Sequence, residues 1–321
     1  MSAGGSRTAA GLVLALVSTL AFAVSGAFVA PLLETGWTPA AAVTARVLVA
    51  GLALAIPAAV ALRGRWRRLA RAWRRVLAFG LVPIALTQLA YFAAIDRIPI
   101  GTALLIEYLA PVLLVALAWV RTRRRPALVV LAGSVAAIGG LALVIGPGGG
   151  ALDLLGLAFA GVAAVGLAAY FLLGAMPDGG VPPVALAASG LLLGGLVLAL
   201  LGAVGILPLA WHLGEVTLLG AQVSFLVPLL VVALIGTSLA YASGIAATAR
   251  LGSRLASFVG LLEVVFAVVV AWLLLGQVLA PLQLAGGALI LVGIALVRAE
   301  RPGPVELEPA TADTLGRRTR S

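Results

Sequence analysis

The 321-residue chain contains no cysteine and no lysine, and a single histidine. Without cysteine it forms neither disulfides nor thiolate metal sites. The lone histidine, His212, lies between apolar runs, which excludes a haem or histidine-metal centre within them. Three motifs are also missing: the nucleophile-elbow G-x-S-x-G, the zinc-binding H-E-x-x-H and the phosphate-cradling G-x-x-x-x-G-K. "GPGGG" at 146–150 is rich in glycine but has no lysine to hold a phosphate. No cofactor is expected, and any work the protein does must draw on a gradient rather than on ATP.

Charge is scarce as well. Asp, Glu, Lys and Arg together make up 10% of the chain, against about 25% in soluble domains. Hydrophobic residues fill the space at 63%, and mean hydropathy is +1.21. Hardly any protein core could hide so much apolar surface from water, so the expected solvent is lipid. The net charge of +10 is therefore read as orientation in a membrane and not as a nucleic-acid footprint.

A spanning helix needs about 20 mostly apolar residues. Such runs occur near 11–33, 39–61, 76–95, 101–120, 127–146, 154–174, 184–207, 225–248, 255–275 and 281–297, ten in all. They are continuous rather than alternating, which favours helices over barrel strands. Ala21-Phe22-Ala23 resembles a signal-peptidase site. The apolar stretch around it, however, outlasts the roughly 7–15 residues of a signal core, so it reads as an uncleaved first span. With the N-terminus in the cytoplasm, 19 of the 21 arginines fall on the inner side. Only Arg97 lies in an outer loop, and Arg46 lies within the second run. This bias predicts that both termini are cytoplasmic and the 208–224 loop is outside, and the expected location is a bacterial inner membrane. "RGRWRRLARAWRR" (63–75) spaces Trp66, Leu69 and Trp73 for a short helix on the anionic inner leaflet.

The ten runs divide into two fives. Shifting the chain by 153 residues lays Arg97 on Arg250, Trp119 on Trp272, Gly133 on Gly286 and Gly140 on Gly293. Matches of Ala, Leu and Val are cheap in this composition, whereas matches of Arg, Trp and Gly are not. Five is odd, so the copies must enter the membrane from opposite faces, which places a binding site near the midplane where they meet. The expected fold is an all-α integral membrane protein, with ten transmembrane helices in two inverted five-helix repeats. Its expected parts are a cytoplasmic N-terminus (1–10), a first repeat (11–146), an outer connecting loop (147–153), a second repeat (154–297) and a disordered cytoplasmic tail (298–321).

Two segments carry a family resemblance. "DRIPIGTALLIEYLAPVLLVALAW" (96–119) is similar to the fourth-span signature of EamA-type carriers, within the drug/metabolite transporter superfamily. "VGLLEVVFAVVVAWLLLGQVLAPLQLAGGALILVGIALV" (259–297) resembles their ninth and tenth spans. The pairing of Glu107 with Pro111 is similar to that of threonine and homoserine exporters. Two positions depart from the pattern: Val264 follows Glu263 where proline is usual, and Gln277 replaces a common glutamate. The resemblance implies a secondary transporter that exports amino acids or related polar compounds. A membrane-embedded enzyme acting on a lipid substrate is the alternative, with the two acids as acid and base. A scaffold protein would need no buried acids.

Three ionisable side chains fall deep inside the apolar runs: Arg46, Glu107 and Glu263. Each costs about 2.5–3.5 kcal/mol at a helix centre on insertion scales. Such groups face a cavity or one another, and two acids against one base leave a carboxylate over, a starting point for proton coupling. The residues leave two roles open for the acids: lining a substrate site, or a structural role, as an ion pair with Arg46 or a hydrogen bond to a neighbouring hydroxyl. For Arg46 the structural role is favoured, with outward snorkelling. Gln88, Tyr91, Tyr108, Tyr170 and Tyr241 are softer candidates, offering donors beside apolar walls. The expected partners are a small-molecule substrate and the bilayer. Nothing in the sequence points to an oligomeric state.

The arginine bias makes a direct prediction. Alkaline phosphatase fused after Ser321 should be inactive and a fluorescent protein fused there should glow. The opposite pattern would overturn the topology.

Overall fold

In hydrocarbon a backbone must satisfy its own polar groups, and runs of Ala, Leu and Val do so as helix. The computed structural model describes residues 3–123, 125–145, 153–174 and 180–299. The first half comprises α1 (Ala3–Glu34), α2 (Pro39–Leu62), the short α3 (Trp66–Arg71), α4 (Trp73–Phe79), α5 (Thr87–Ile95), α6 (Ile100–Glu107), α7 (Ala110–Thr122) and α8 (Leu128–Ile145). The second comprises α9 (Leu154–Gly174), α10 (Pro183–Ala203), strands β1 (Glu215–Leu218) and β2 (Ala221–Ser224), α11 (Leu226–Leu230), α12 (Ala240–Gly260), α13 (Leu262–Leu275) and α14 (Pro281–Ala299). Six of the helical stretches are long and apolar enough to cross a membrane, and four more are shorter and apolar. Together they overlie the ten expected runs.

Three expectations need correction. The fold is not wholly helical, because β1 and β2 form an antiparallel hairpin in the 208–224 segment. Leu219 and Gly220 both take positive φ (53° and 77°), the tight turn whose twist suits a two-residue hairpin. The turn expected near 249–254 is also absent as such. Helical hydrogen bonding carries through Arg250 to Gly260, in a stretch with no proline to stop it. Finally, the fourth and ninth runs are each broken near their middle, at 108–109 and at 261. "GPGGG" and the tail from 300 onward lie outside the described residues. The expected arginine-rich helix is present as α3, with Trp66 exposed and Leu69 turned toward the core, while Trp73, also exposed, opens α4.

The two halves repeat each other in detail. α4 to α5 and α11 to α12 each pass through a π-helical segment, Gly80–Leu86 and Val231–Leu239. In both, a threonine hydroxyl spans the widened turn by donating to the carbonyl five residues back. Thr87 donates to Val82 and Thr237 to Val232, each at 2.8 Å. α1 packs on α12 and α13, as α9 packs on α5, α6 and α7. A Cβ at Gly156 would come 2.8 Å from Ile98 and 2.9 Å from Arg97 Cβ, and one at Gly11 would meet Leu251 at 2.6 Å and Arg250 Cβ at 3.2 Å. Arg97 and Arg250 are the residues that the 153-residue shift superimposes. At the Arg97 end the contact is reinforced, because Arg97 Nη1 donates to Asp153 Oδ2 at 2.7 Å. That hydrogen bond, together with the Leu155 amide, holds the Asp153 carboxyl below its ordinary range.

α8 and α14 show the inversion most plainly. A Cβ at Gly133 would lie 2.5 Å from the carbonyl oxygen of Gly293, and one at Gly140 would lie 2.5 Å from that of Gly286. The lower residue of one helix meets the upper residue of the other, so the helices run antiparallel. Since Gly133 corresponds to Gly286 and Gly140 to Gly293, each contact is the image of the other across a pseudo-two-fold axis. A two-fold interface has this self-complementary form. Glycine is required here because backbone touches backbone.

Gly139 sits one residue along and faces open space, with nothing within 4 Å of an added Cβ. Gly140→Ala should therefore lower stability by about 1–3 kcal/mol through overpacking. Gly139→Ala should stay within about 0.5 kcal/mol of the parent. Thermal unfolding in detergent checks both, and equal effects would contradict the seam.

Candidate functional site

The broken helices bring the acids together. α6 ends at Glu107 and α7 resumes at Ala110, and Pro111 has no N–H to donate to the Glu107 carbonyl. In the second half α12 ends at Gly260 and α13 begins at Leu262. The 153-residue shift lays the first break on the second, although Val264 replaces proline there. The two acids flank these equivalent breaks from opposite sides. Glu107 is the last residue of α6, where the helix dipole opposes an anion, and Glu263 lies in the first turn of α13, where the dipole favours one.

Tyr108, at the first break, reaches across to the other half. Its hydroxyl donates to Glu263 Oε2 at 2.8 Å, so one tyrosine joins both helix breaks. Glu107 is only 7% exposed, and among the described residues its carboxylate makes no hydrogen bond.

Arg46, on α2, does not snorkel. It is 2% exposed and ranks among the most buried large side chains of the chain. Nη1 donates to Ser25 Oγ on α1 at 2.9 Å, and the guanidinium carbon lies 4.8 Å over the ring of Phe92. Nε is buried without a partner among the described residues. Among the described residues no ion pair within 4.0 Å joins Arg46 to either acid, so the expected structural pair is not formed. The cation nevertheless shares one electrostatic field with Glu107, Glu263, Tyr91 and Tyr241.

The tyrosines cluster around these charges. Tyr91 on α5 is buried beside Phe92, with its hydroxyl against Gly26 of α1. Tyr241 on α12 packs edge-on to Phe22 at 5.1 Å. Tyr170 on α9 packs on Phe79 at 5.7 Å and lies within electrostatic reach of Glu263 and Tyr241. Gln88 is the exception, being partly exposed and bonded to neither Arg46 nor the acids among the described residues. Ser25 and Phe92 were not singled out in the sequence. A serine in an alanine-rich span and a phenylalanine among other aromatics carry no signal until Arg46 is placed between them.

The comparisons agree with this architecture. The model of the EamA-like transporter family matches residues 9–146 and 154–299, one copy on each half. A crystal structure shares the fold at a TM-score of 0.57 and 21% identity, covering 91% of this chain and 96% of its own. No curated protein sequence matches. Two family matches, laid over two halves that pack as inverted copies, account for most of the chain: it belongs to the EamA-like transporter family, a multi-pass membrane protein of the drug/metabolite transporter superfamily.

Proposed function

We propose that the protein is a proton-coupled exporter of amino acids or related small polar compounds, working by alternating access. In this reading the ten apolar helices all span a bacterial inner membrane, with both termini in the cytoplasm. The observation that carries the proposal is the pair of carboxylates set on opposite sides of equivalent helix breaks in antiparallel halves. A broken helix frees backbone polar groups, which is tolerated in a membrane only where they are buried in protein or line a cavity. Transporters with inverted repeats use such breaks for their central sites.

The two acids have different work. Glu263 is held by Tyr108 and favoured by its helix end, so it is the fixed anion. Glu107 has no such support, and its charge is the one that changes during the cycle. A proton and a substrate ammonium compete for its carboxylate, so binding one releases the other. Tyr91, Tyr170 and Tyr241 wall the site, and Gln88 lines its approach. The π-helical segments and the glycine seam of α8 and α14 supply helices that shift as units against each other.

Glu107→Gln keeps shape and removes the charge. It should fold with parental stability, lose proton-driven export by about tenfold or more, the scale of a hydrogen bond to a charged group, and bind substrate without releasing a proton. Calorimetry in buffers of differing ionisation enthalpy counts the protons. Wild-type binding with a proton count of zero across the pH range, or a variant exporting at the parental rate, would reduce Glu107 to a structural acid.

A further inference from the structure

Arg46 is the buried group that the proton-coupling scheme leaves unused. A guanidinium offers five N–H donors in a planar fork, and it cannot shed its charge in a protein. Here Nη1 is held by Ser25 Oγ, Phe92 covers a face, and Nε is buried without a partner among the described residues. The acids that share its field stand beyond ion-pair distance, and Glu263 already accepts from Tyr108. A buried cation lacking a close counterion is unstable unless something brings one.

Comparison of the halves shows that the scaffold does not need it. α2 packs antiparallel on α10, the corresponding helix of the other repeat, with Gly51 against Leu192 and Leu48 against Gly195. α10 is built entirely of Pro, Val, Ala, Leu, Ser and Gly. One copy of this helix therefore folds and packs with no ion at all. The cation is an addition to the repeat, placed on one side of the pseudo-two-fold axis and held from behind by α1 and α5.

We propose that Arg46 is the anchor for a carboxylate of the transported molecule, so that the carrier selects zwitterions carrying an acid beside their amine. The inference rests on the export reading above and assigns its substrate class. Nη1 is steadied by Ser25, the ring of Phe92 packs against the fork, and the remaining N–H groups donate to the two carboxylate oxygens in bidentate fashion. The ammonium of the same molecule then faces Glu107. Amines without an acid leave Arg46 unmatched and are rejected. Molecules with an acid but no amine leave Glu107 without its exchange partner. Ser25 and Phe92 are positioning residues, acting through the guanidinium.

The test uses the full chain in liposomes and compares efflux of radiolabelled threonine, leucine and phenylalanine with efflux of their amides, which keep the amine and lack the carboxylate. The wild type should prefer acid over amide by about 100-fold or more, a floor below the roughly 10⁴–10⁵-fold by which a site built to bond a group rejects an analogue lacking it. Arg46→Gln should bring that ratio to within about tenfold of unity. Arg46→Lys keeps a charge without the fork and should restore part of the preference. A folded Arg46→Gln that keeps the parental ratio overturns the proposal. So does a wild type that moves acids and amides equally, a result needing no variant to fold. A wild type that moves neither acids nor amides defeats the export reading itself.

Discussion

Backbone touching backbone between α8 and α14 is the contact on which the rest of the architecture depends. Gly133 and Gly140 of one helix meet Gly293 and Gly286 of the other so closely that a Cβ would lie about 2.5 Å from a carbonyl oxygen. Close approach of this kind fixes the antiparallel sense of the pair, and with it the inverted relation of the two halves. Other backbone features recur across the same axis. The π-helical segments match, the helix breaks match, and the glycine contacts at Gly11 and Gly156 match. Lipid offers no hydrophobic drive between helices, so such small-residue packing must supply the association.

Within that symmetric frame the charges are placed asymmetrically. Glu107 precedes its break and Glu263 follows its own, so the two helix dipoles act on them in opposite senses. Tyr108 donates to Glu263 and so supports the second acid. Arg46 stands on α2 and has no counterpart on α10. In the proposed reading, a carrier whose halves trade places needs a symmetric scaffold, while a substrate with distinct ends needs a lopsided site. The structure combines the two.

Much of this was legible in the sequence, for physical reasons. Lipid demands continuous apolar runs, so the helices were visible as hydropathy. Arg97 on Arg250 and Gly140 on Gly293 carried the repeat because those residues are rare or sterically irreplaceable in such a chain. Glu107, Glu263 and Arg46 stood out because their burial is costly. Other features left no such trace. The break before Leu262 comes without a proline, and the hairpin depends on two positive-φ residues in a segment that otherwise reads as loop. The helix through Arg250 was hidden because an arginine between apolar runs reads as an interfacial loop residue. Arg46 was expected to pair with an acid or to reach outward, and it does neither. Ser25 and Phe92 come from separate helices, and no local pattern links them to it.

Alternating access around a central acidic site is best tested by counterflow. Liposomes holding the purified chain, loaded with unlabelled threonine and diluted into a trace of labelled threonine without any imposed gradient, should accumulate label transiently above equilibrium. Leucine and phenylalanine, tried in the same way, extend the test across amino-acid side chains. A site open to one face at a time gives that overshoot, because outgoing substrate returns the carrier for the label. Label that only equilibrates, or never enters for any amino acid tried, would contradict the account.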